Sequence, residues 1–429
     1  MTGLIPLIAA LALIEAALRA QVVPVSSSRL VAAMIIGALL LPLLCETGSR
    51  VVARWRHHPR LVDHWEVVMQ GMVLAWFGWL CLGLGWAAVQ GAYSVALAPW
   101  VAGQAICWWC LPAPAAPAVR RAQVWHQLRY GLAPLLLALP ILDLCAWIGE
   151  SSGWATFLAR HLGQWANVTG SFLLAVGVLT ALPWLLMYLW RARPLPDSPL
   201  AAQLHAACTR AGVNVAGLRL WPVAGRGMYN AMVLGLVPRL RYVLFTPDLL
   251  RDFTPLQVEA VLGHELGHVR HRHLWLYLLF AITAGLGSWT LADPLRHALY
   301  LLPGTAHLPP ALVQGGLAVG LALGAWRLGF GVLSRTCERQ ADLAGAELVG
   351  STGVMQSALH TLAGPGGLAA DAPNWRHDTI RMRMAWLDLV DADPAVARRQ
   401  HQLVLAAWLI LAGTAAGFAF AALHRGLLA

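Results

Sequence analysis

Lysine is absent from the 429 residues, so all 30 basic residues are arginine. An omission of that kind reflects coding bias and excludes no activity. Charge as a whole is scarce: Asp, Glu, Lys and Arg make up 12% of the chain, against about a quarter in soluble domains. The seven cysteines are odd in number and lie mostly in apolar stretches, which excludes a disulfide framework. Cys107 and Cys110 have redox spacing, but they sit in a run expected to span a bilayer and follow no strand, which argues against a redox role. The first apolar run has no basic segment before it and no convincing cleavage site after it, so it is expected to be retained.

What the chain has instead is apolar surface. Hydrophobic residues reach 59% and the mean hydropathy is +0.62, the composition of a membrane protein. The length would allow two or three domains. A formal charge of +10 would ordinarily raise nucleic-acid binding. Here the arginines are scattered at the ends of apolar runs, where they suit lipid headgroups, and nucleic acid is set aside as a partner.

About 20 apolar residues cross a bilayer as a helix. That ruler selects segments near 3–18, 30–46, 66–90, 94–112, 131–149, 168–190, 274–292, 311–330 and 403–423, roughly nine spans. Glu15 and Asp143 would lie at lipid depth and should face other helices or an interface. Arginine is concentrated in the 47–65 and 113–130 loops, which the positive-inside rule places in the cytoplasm. The amino terminus is then expected inside and the carboxy terminus outside.

From Pro194 the texture changes to that of a folded domain. Residues 200–212 read as a helix, short β-rich pieces follow near 217–223, 229–236 and 240–246, and Thr254 is a candidate N-cap for a long helix. The domain organisation expected is a multi-span membrane region over 1–193, a catalytic domain over 194–400 interrupted by a membrane hairpin at about 274–330, and a last span within 401–429.

The strongest chemical signal is His264-Glu265-Leu266-Gly267-His268. Histidines four apart on a helix share one face, about 6 Å apart along the axis, so both can converge on one tetrahedral metal. Glu265 projects beside them, where a carboxylate can take a proton from water on that metal. Leu256, Val258, Val261 and Leu262 form the apolar stripe expected to bury the helix. A catalytic zinc usually takes three protein ligands. His271 shares the face but lies about 10 Å from His264 along the axis, too far for a straight helix to close. Glu338 is the better third ligand, beyond the hairpin on a second polar helix start. Asp342, four residues on, shares its face and could accept the free N–H of a ligating histidine.

The pairing of His264-Glu-Leu-Gly-His268 with Glu338-Arg-Gln-Ala-Asp342 resembles the M48 integral-membrane zinc metallopeptidases of the HtpX and Ste24 type. The resemblance covers about 195–390. It implies a mainly α, polytopic membrane protein with a small α+β gluzincin-type metallopeptidase domain. It further implies one zinc ion on His264, His268 and Glu338, Glu265 as general base, and Asp342 behind a ligand. Tyr229-Asn230-Ala231 resembles the family's segment before the active-site helix, an edge strand on which substrate is laid, so Asn230 and Ala231 are implied to bind substrate. His377 and Arg383 resemble its His-Pro…Arg element near the substrate carbonyl, with Asp378 standing where proline is usual.

The expected activity is zinc-dependent endopeptidase cleavage of protein or peptide substrates at the cytoplasmic face of a bacterial inner membrane, in quality control or processing. The alternative is a catalytically decayed domain serving a sensor, receptor or transporter. Both candidate zinc helices meet a membrane run within eight residues, which places the metal about 10–15 Å from the membrane surface.

Overall fold

The computed structural model describes residues 4–424, apart from 55–58, 91, 112–115, 152, 154–155, 158–159, 162–165, 223–227, 306, 365–370 and 372–376. Parts of both arginine-rich loops and the end of the 217–223 piece thus lie outside the described residues. Among the described residues, five helices are long and apolar enough to cross a membrane: Ser27–Ala53, His64–Gly83, His273–Tyr300, Val313–Val349 and Pro394–Ala422. Two of the other expected runs form the shorter apolar helices Pro6–Leu18 and Val176–Leu189.

The remaining two expected runs are broken. The 94–112 run contains the helix Ala98–Trp109, 12 residues or about 18 Å long, against a hydrocarbon core of about 30 Å. The 131–149 run divides into Ala133–Leu136 and Ala138–Ser151. Pro99 and Pro134 stand in the first turns of these pieces, where a missing N–H is tolerated and a helix readily restarts.

The chain forms two compact units, residues 1–170 with 292–320, and residues 171–291 with 321–429. In the first, Ile14, Met69, Phe77, Trp100 and Leu132 form a fully buried helical core. Glu15 and Asp143, the two acidic residues expected at lipid depth, are both engaged. Glu15 accepts a 2.6 Å hydrogen bond from the Tyr93 hydroxyl. Asp143 accepts the backbone N–H groups of Tyr93 and Ser94 at 3.1 and 2.8 Å, satisfying donors that a helix start leaves open. The six cysteines with described side chains are buried free thiols.

The second unit holds a four-stranded sheet in the order β1-β2-β4-β3, with β1 Arg193–Pro194, β2 Gly217–Leu220, β3 Ala231–Leu234 and β4 Tyr242–Phe245. β2 runs parallel to β4. β3 runs antiparallel to it with Ala231 opposite Phe245, and among the described residues is left as an edge strand.

The helix Pro255–Arg270 packs on this sheet and carries the histidine pair; it is called the HELGH helix below. Thr254 and Gln257 close a capping box at its start, which satisfies two orphan N–H groups. Val258, Leu262 and Leu266 are buried with Val243 and Phe245 of the sheet, a spacing of four residues that keeps them on one face. Leu256 is 53% exposed, so the buried stripe begins at Val258 and extends to Leu266 instead.

The opposite face of the HELGH helix meets the helix Gly331–Val349, the ERQAD helix. This is not a new helix start after the hairpin. Helix Pro310–Gly324 continues through a π-helical turn, Ala325–Phe330, directly into it. Trp326 and Phe330 stack inside that turn, their ring centroids 4.2 Å apart.

Glycine sets how closely the HELGH and ERQAD helices approach. A Cβ on Gly345 would lie 2.7 Å from the Ala260 carbonyl oxygen, and one on Gly263 would lie 2.9 Å from Gly345 Cα. Backbone therefore rests on backbone. Gly345→Val is expected to force the helices apart and lower stability by about 1–3 kcal/mol through overpacking. Thermal unfolding of the purified protein checks this, and an unchanged transition would mean that the helices are not in that contact.

Candidate metal and active site

Three donors converge where the two helices meet. His264 Nε2 lies 3.2 Å from His268 Nε2 and 3.6 Å from Glu338 Oε2, and His268 Nε2 lies 3.7 Å from Glu338 Oε1. A tetrahedral zinc with bonds of about 2.0–2.1 Å has ligand atoms about 3.3–3.4 Å apart. The spacing fits such an ion, and two imidazoles with one carboxylate are a donor set zinc favours. Among the described residues this is the one cluster of three or more His, Cys, Asp or Glu donors close enough to share an ion.

The donors are buttressed from behind. Asp342 Oδ1 lies 2.8 Å from His264 Nδ1. A carboxylate only accepts, so Nδ1 carries the proton and Nε2 presents its lone pair to the cage. Asp342 is fully buried, and Arg383 holds it through two hydrogen bonds, Nε to Oδ2 at 2.8 Å and Nη2 to Oδ1. Burial disfavours the charge on Arg383, but Asp342 outweighs it and keeps the guanidinium firmly protonated. Arg383 thus sits behind Asp342 and touches Glu338 at 3.9 Å through Nη1. Its contacts are those of a group orienting the donors.

Electrostatics separate the ligands from the base. Burial holds His268 well below its ordinary pKa, so it is neutral, as a ligand must be. Burial raises the carboxyl of Glu265 to about 7, the range in which a general base works best at neutral pH.

Glu265 Oε2 accepts the N–H of Val233 on β3 at 3.2 Å. The open edge of β3 therefore faces the base. Asn230 and Ala231 stand at the start of this strand, where Asn230 exchanges hydrogen bonds with Thr246. A cleft of about 760 Å³ includes Asn230, Val233, Glu265, Glu338 and His377 in its walls.

His377 Nδ1 lies 2.9 Å from Glu338 Oε2, at the donors rather than remote from them. The next residue explains how it is held there without proline. Asp378 is buried and accepts Arg339 Nε and Nη2 at 2.9 and 2.7 Å on one oxygen. An ion pair to the ERQAD helix thereby fastens the segment. The Asp378 departure was visible in the sequence, but its partner Arg339 was not singled out.

Residues 194–404 match the family model described as Peptidase family M48. Among curated proteins the chain is similar to the "Protease HtpX homolog" of Pyrobaculum aerophilum, 30% identical over 190 residues that cover 44% of this chain and 53% of that protein. It is also 30% identical over 199 residues to the "Protease HtpX homolog" of Pyrobaculum islandicum, covering 46% and 56%. The chain thus spans about half the length of the curated relatives it matches. Among solved structures, that of S. mikatae Ste24p aligns at a TM-score of 0.42 and 18% identity, over 67% of this chain and 76% of that one.

Proposed function

Residues 194–404 being a domain of peptidase family M48, we propose that the protein is a membrane-embedded zinc endopeptidase that hydrolyses peptide bonds of protein substrates at the cytoplasmic membrane face. The observation that carries this reading is the convergence of His264, His268 and Glu338 at tetrahedral spacing beside Glu265, in a cleft bordered by an edge strand. When held there, zinc supplies Lewis-acid chemistry, acidifying water and polarising a carbonyl.

The chain's own residues do the rest. β3 offers an open strand edge on which an extended peptide can add as a further strand, fixing the scissile carbonyl near Glu265. Glu265 takes a proton from the attacking water and returns it to the leaving amine. His377, held beside Glu338 by the Asp378–Arg339 pair, is placed to donate to the carbonyl oxygen as charge develops on it. Asp342 and Arg383 keep His264 oriented throughout.

The HELGH helix ends at Arg270 and the apolar helix begins at His273, which supports a site close to where that helix would enter the membrane. Substrates would reach it from the headgroup side, consistent with membrane-protein quality control or processing.

Zinc analysis of the purified protein tests the reading. One zinc per chain is expected for the wild type, and Glu338→Gln is expected to weaken zinc by at least roughly 100-fold, more than loss of an outer-shell partner does. A wild type without zinc, or full zinc retention by Glu338→Gln at limiting metal, would reject the assignment.

A further inference from the structure

His264 has an obvious buttress in Asp342, whereas among the described residues His268 has no carboxylate behind it. Its Nδ1 lies 2.9 Å from Nδ1 of His273, the first residue of the apolar helix that follows the HELGH helix. His273 is fully buried, and its Nε2 lies 2.8 Å from Gln340 Oε1. Gln340, on the ERQAD helix between Glu338 and Asp342, is itself 3% exposed. Its amide nitrogen lies 2.6 Å from Nδ1 of His401, on the C-terminal helix Pro394–His424. Four side chains from four helices are thus strung on three hydrogen bonds.

A chain of this kind has a direction. Each link needs one donor and one acceptor, and a neutral imidazole has one of each. As the amide of Gln340 stands, its NH₂ donates to a bare His401 Nδ1 and its oxygen accepts from His273 Nε2–H. His273 Nδ1 is then bare and must accept from His268. The proton of His268 is therefore on Nδ1, and its Nε2 lone pair faces Glu338 and His264. Turned the other way, the same chain would put a proton on His268 Nε2, aimed into the donor cage.

We propose that Gln340, with His273 and His401, is a positioning residue that holds His268 in its metal-binding tautomer through this relay, as Asp342 does for His264. The proposal rests on the zinc-peptidase reading and extends the machinery to the C-terminal apolar helix. Outer partners of ligating histidines typically change metal affinity by 10–100-fold when removed.

The test compares zinc dissociation constants, by chelator competition, and Co(II) absorption spectra for wild type, Gln340→Met, Gln340→Glu and His401→Phe. Gln340→Met matches the size of the side chain but can neither accept nor donate usefully, and is expected to weaken zinc by roughly 10–100-fold and alter the Co(II) bands. Gln340→Glu can still accept from His273 and is expected to stay within about threefold of wild type. His401→Phe, at the half-buried outer end, is expected to lose a few-fold and keeps the test open should Gln340→Met fail to fold.

Equal affinity in wild type and Gln340→Met, or equal weakening by Met and Glu, would overturn the relay while leaving the peptidase reading intact. His401→Phe with unchanged affinity and spectrum would remove His401 from it. A wild type that takes up no zinc would overturn both.

Discussion

Glu265→Gln is expected to lower kcat/KM by roughly 10²–10⁴-fold, the contribution of a positioned general acid–base group, while zinc stays at one per chain. Gln is nearly isosteric and its carbonyl oxygen can still accept the Val233 N–H that Glu265 accepts at 3.2 Å. The fold and the β3 edge should therefore persist, and the melting temperature should move little. What is lost is the ability to carry a proton from water to the leaving amine. Cleavage of an unfolded protein substrate, followed alongside zinc content, reads both quantities. Activity within tenfold of wild type would remove Glu265 from the base role. Loss of zinc would instead show that it supports the donor cage.

The second large effect belongs to Arg383. Asp342 is fully buried and Arg383 is 8% exposed, so Arg383→Met leaves a buried carboxylate with the His264 N–H and little else. Breaking one side of a buried pair costs about 3–5 kcal/mol, a large share of a domain's total stability. Unfolding of the purified protein should shift by that amount, and zinc affinity should fall with it as His264 loses its firm partner. Adding Asp342→Asn removes the stranded charge. Stability is then expected to recover in large part, while zinc affinity stays low because a neutral amide no longer strengthens His264 as a ligand. Arg383→Met within about 1 kcal/mol of wild type would mean the pair is not the support described.

How legible these features were in the sequence depends on the range of the contact that makes each one. His264, Glu265 and His268 lie within one turn and a half of helix, and helical geometry alone puts them on a common face. Glu338 and Asp342 have the same property between themselves. Joining the two groups rested on the place of Glu338 on a polar segment just beyond the hairpin and then on a family resemblance, because helical geometry alone does not say that residues about 70 positions apart will meet. Gly263, Gly267 and Gly345 read as ordinary helix glycines until the second helix is placed against them. His273, Gln340 and His401 went unremarked for the same reason, since each is unexceptional on its own element. The apolar runs near 94–112 and 131–149 met the hydropathy expectation but not the length of an unbroken helix. Pro99 and Pro134, local signals in plain view, mark where their pieces begin.

The π-helical turn at Ala325–Phe330 bears on that same problem of pattern. A π turn holds about one residue more than the α turn it replaces, and each added residue rotates everything beyond it by about 100°. The single rod running through it is therefore two rods in series with a phase offset between them. The apolar half can choose its lipid-facing stripe and the ERQAD half its donor-facing stripe independently, since no common helical wheel has to serve both. A one-residue deletion here leaves the two halves facing as they do only where the turn closes as an ordinary α turn. With the π geometry kept, it would draw Glu338, Gln340 and Asp342 about 1.5 Å along the rod and swing them together through about a quarter turn, away from the histidines they meet.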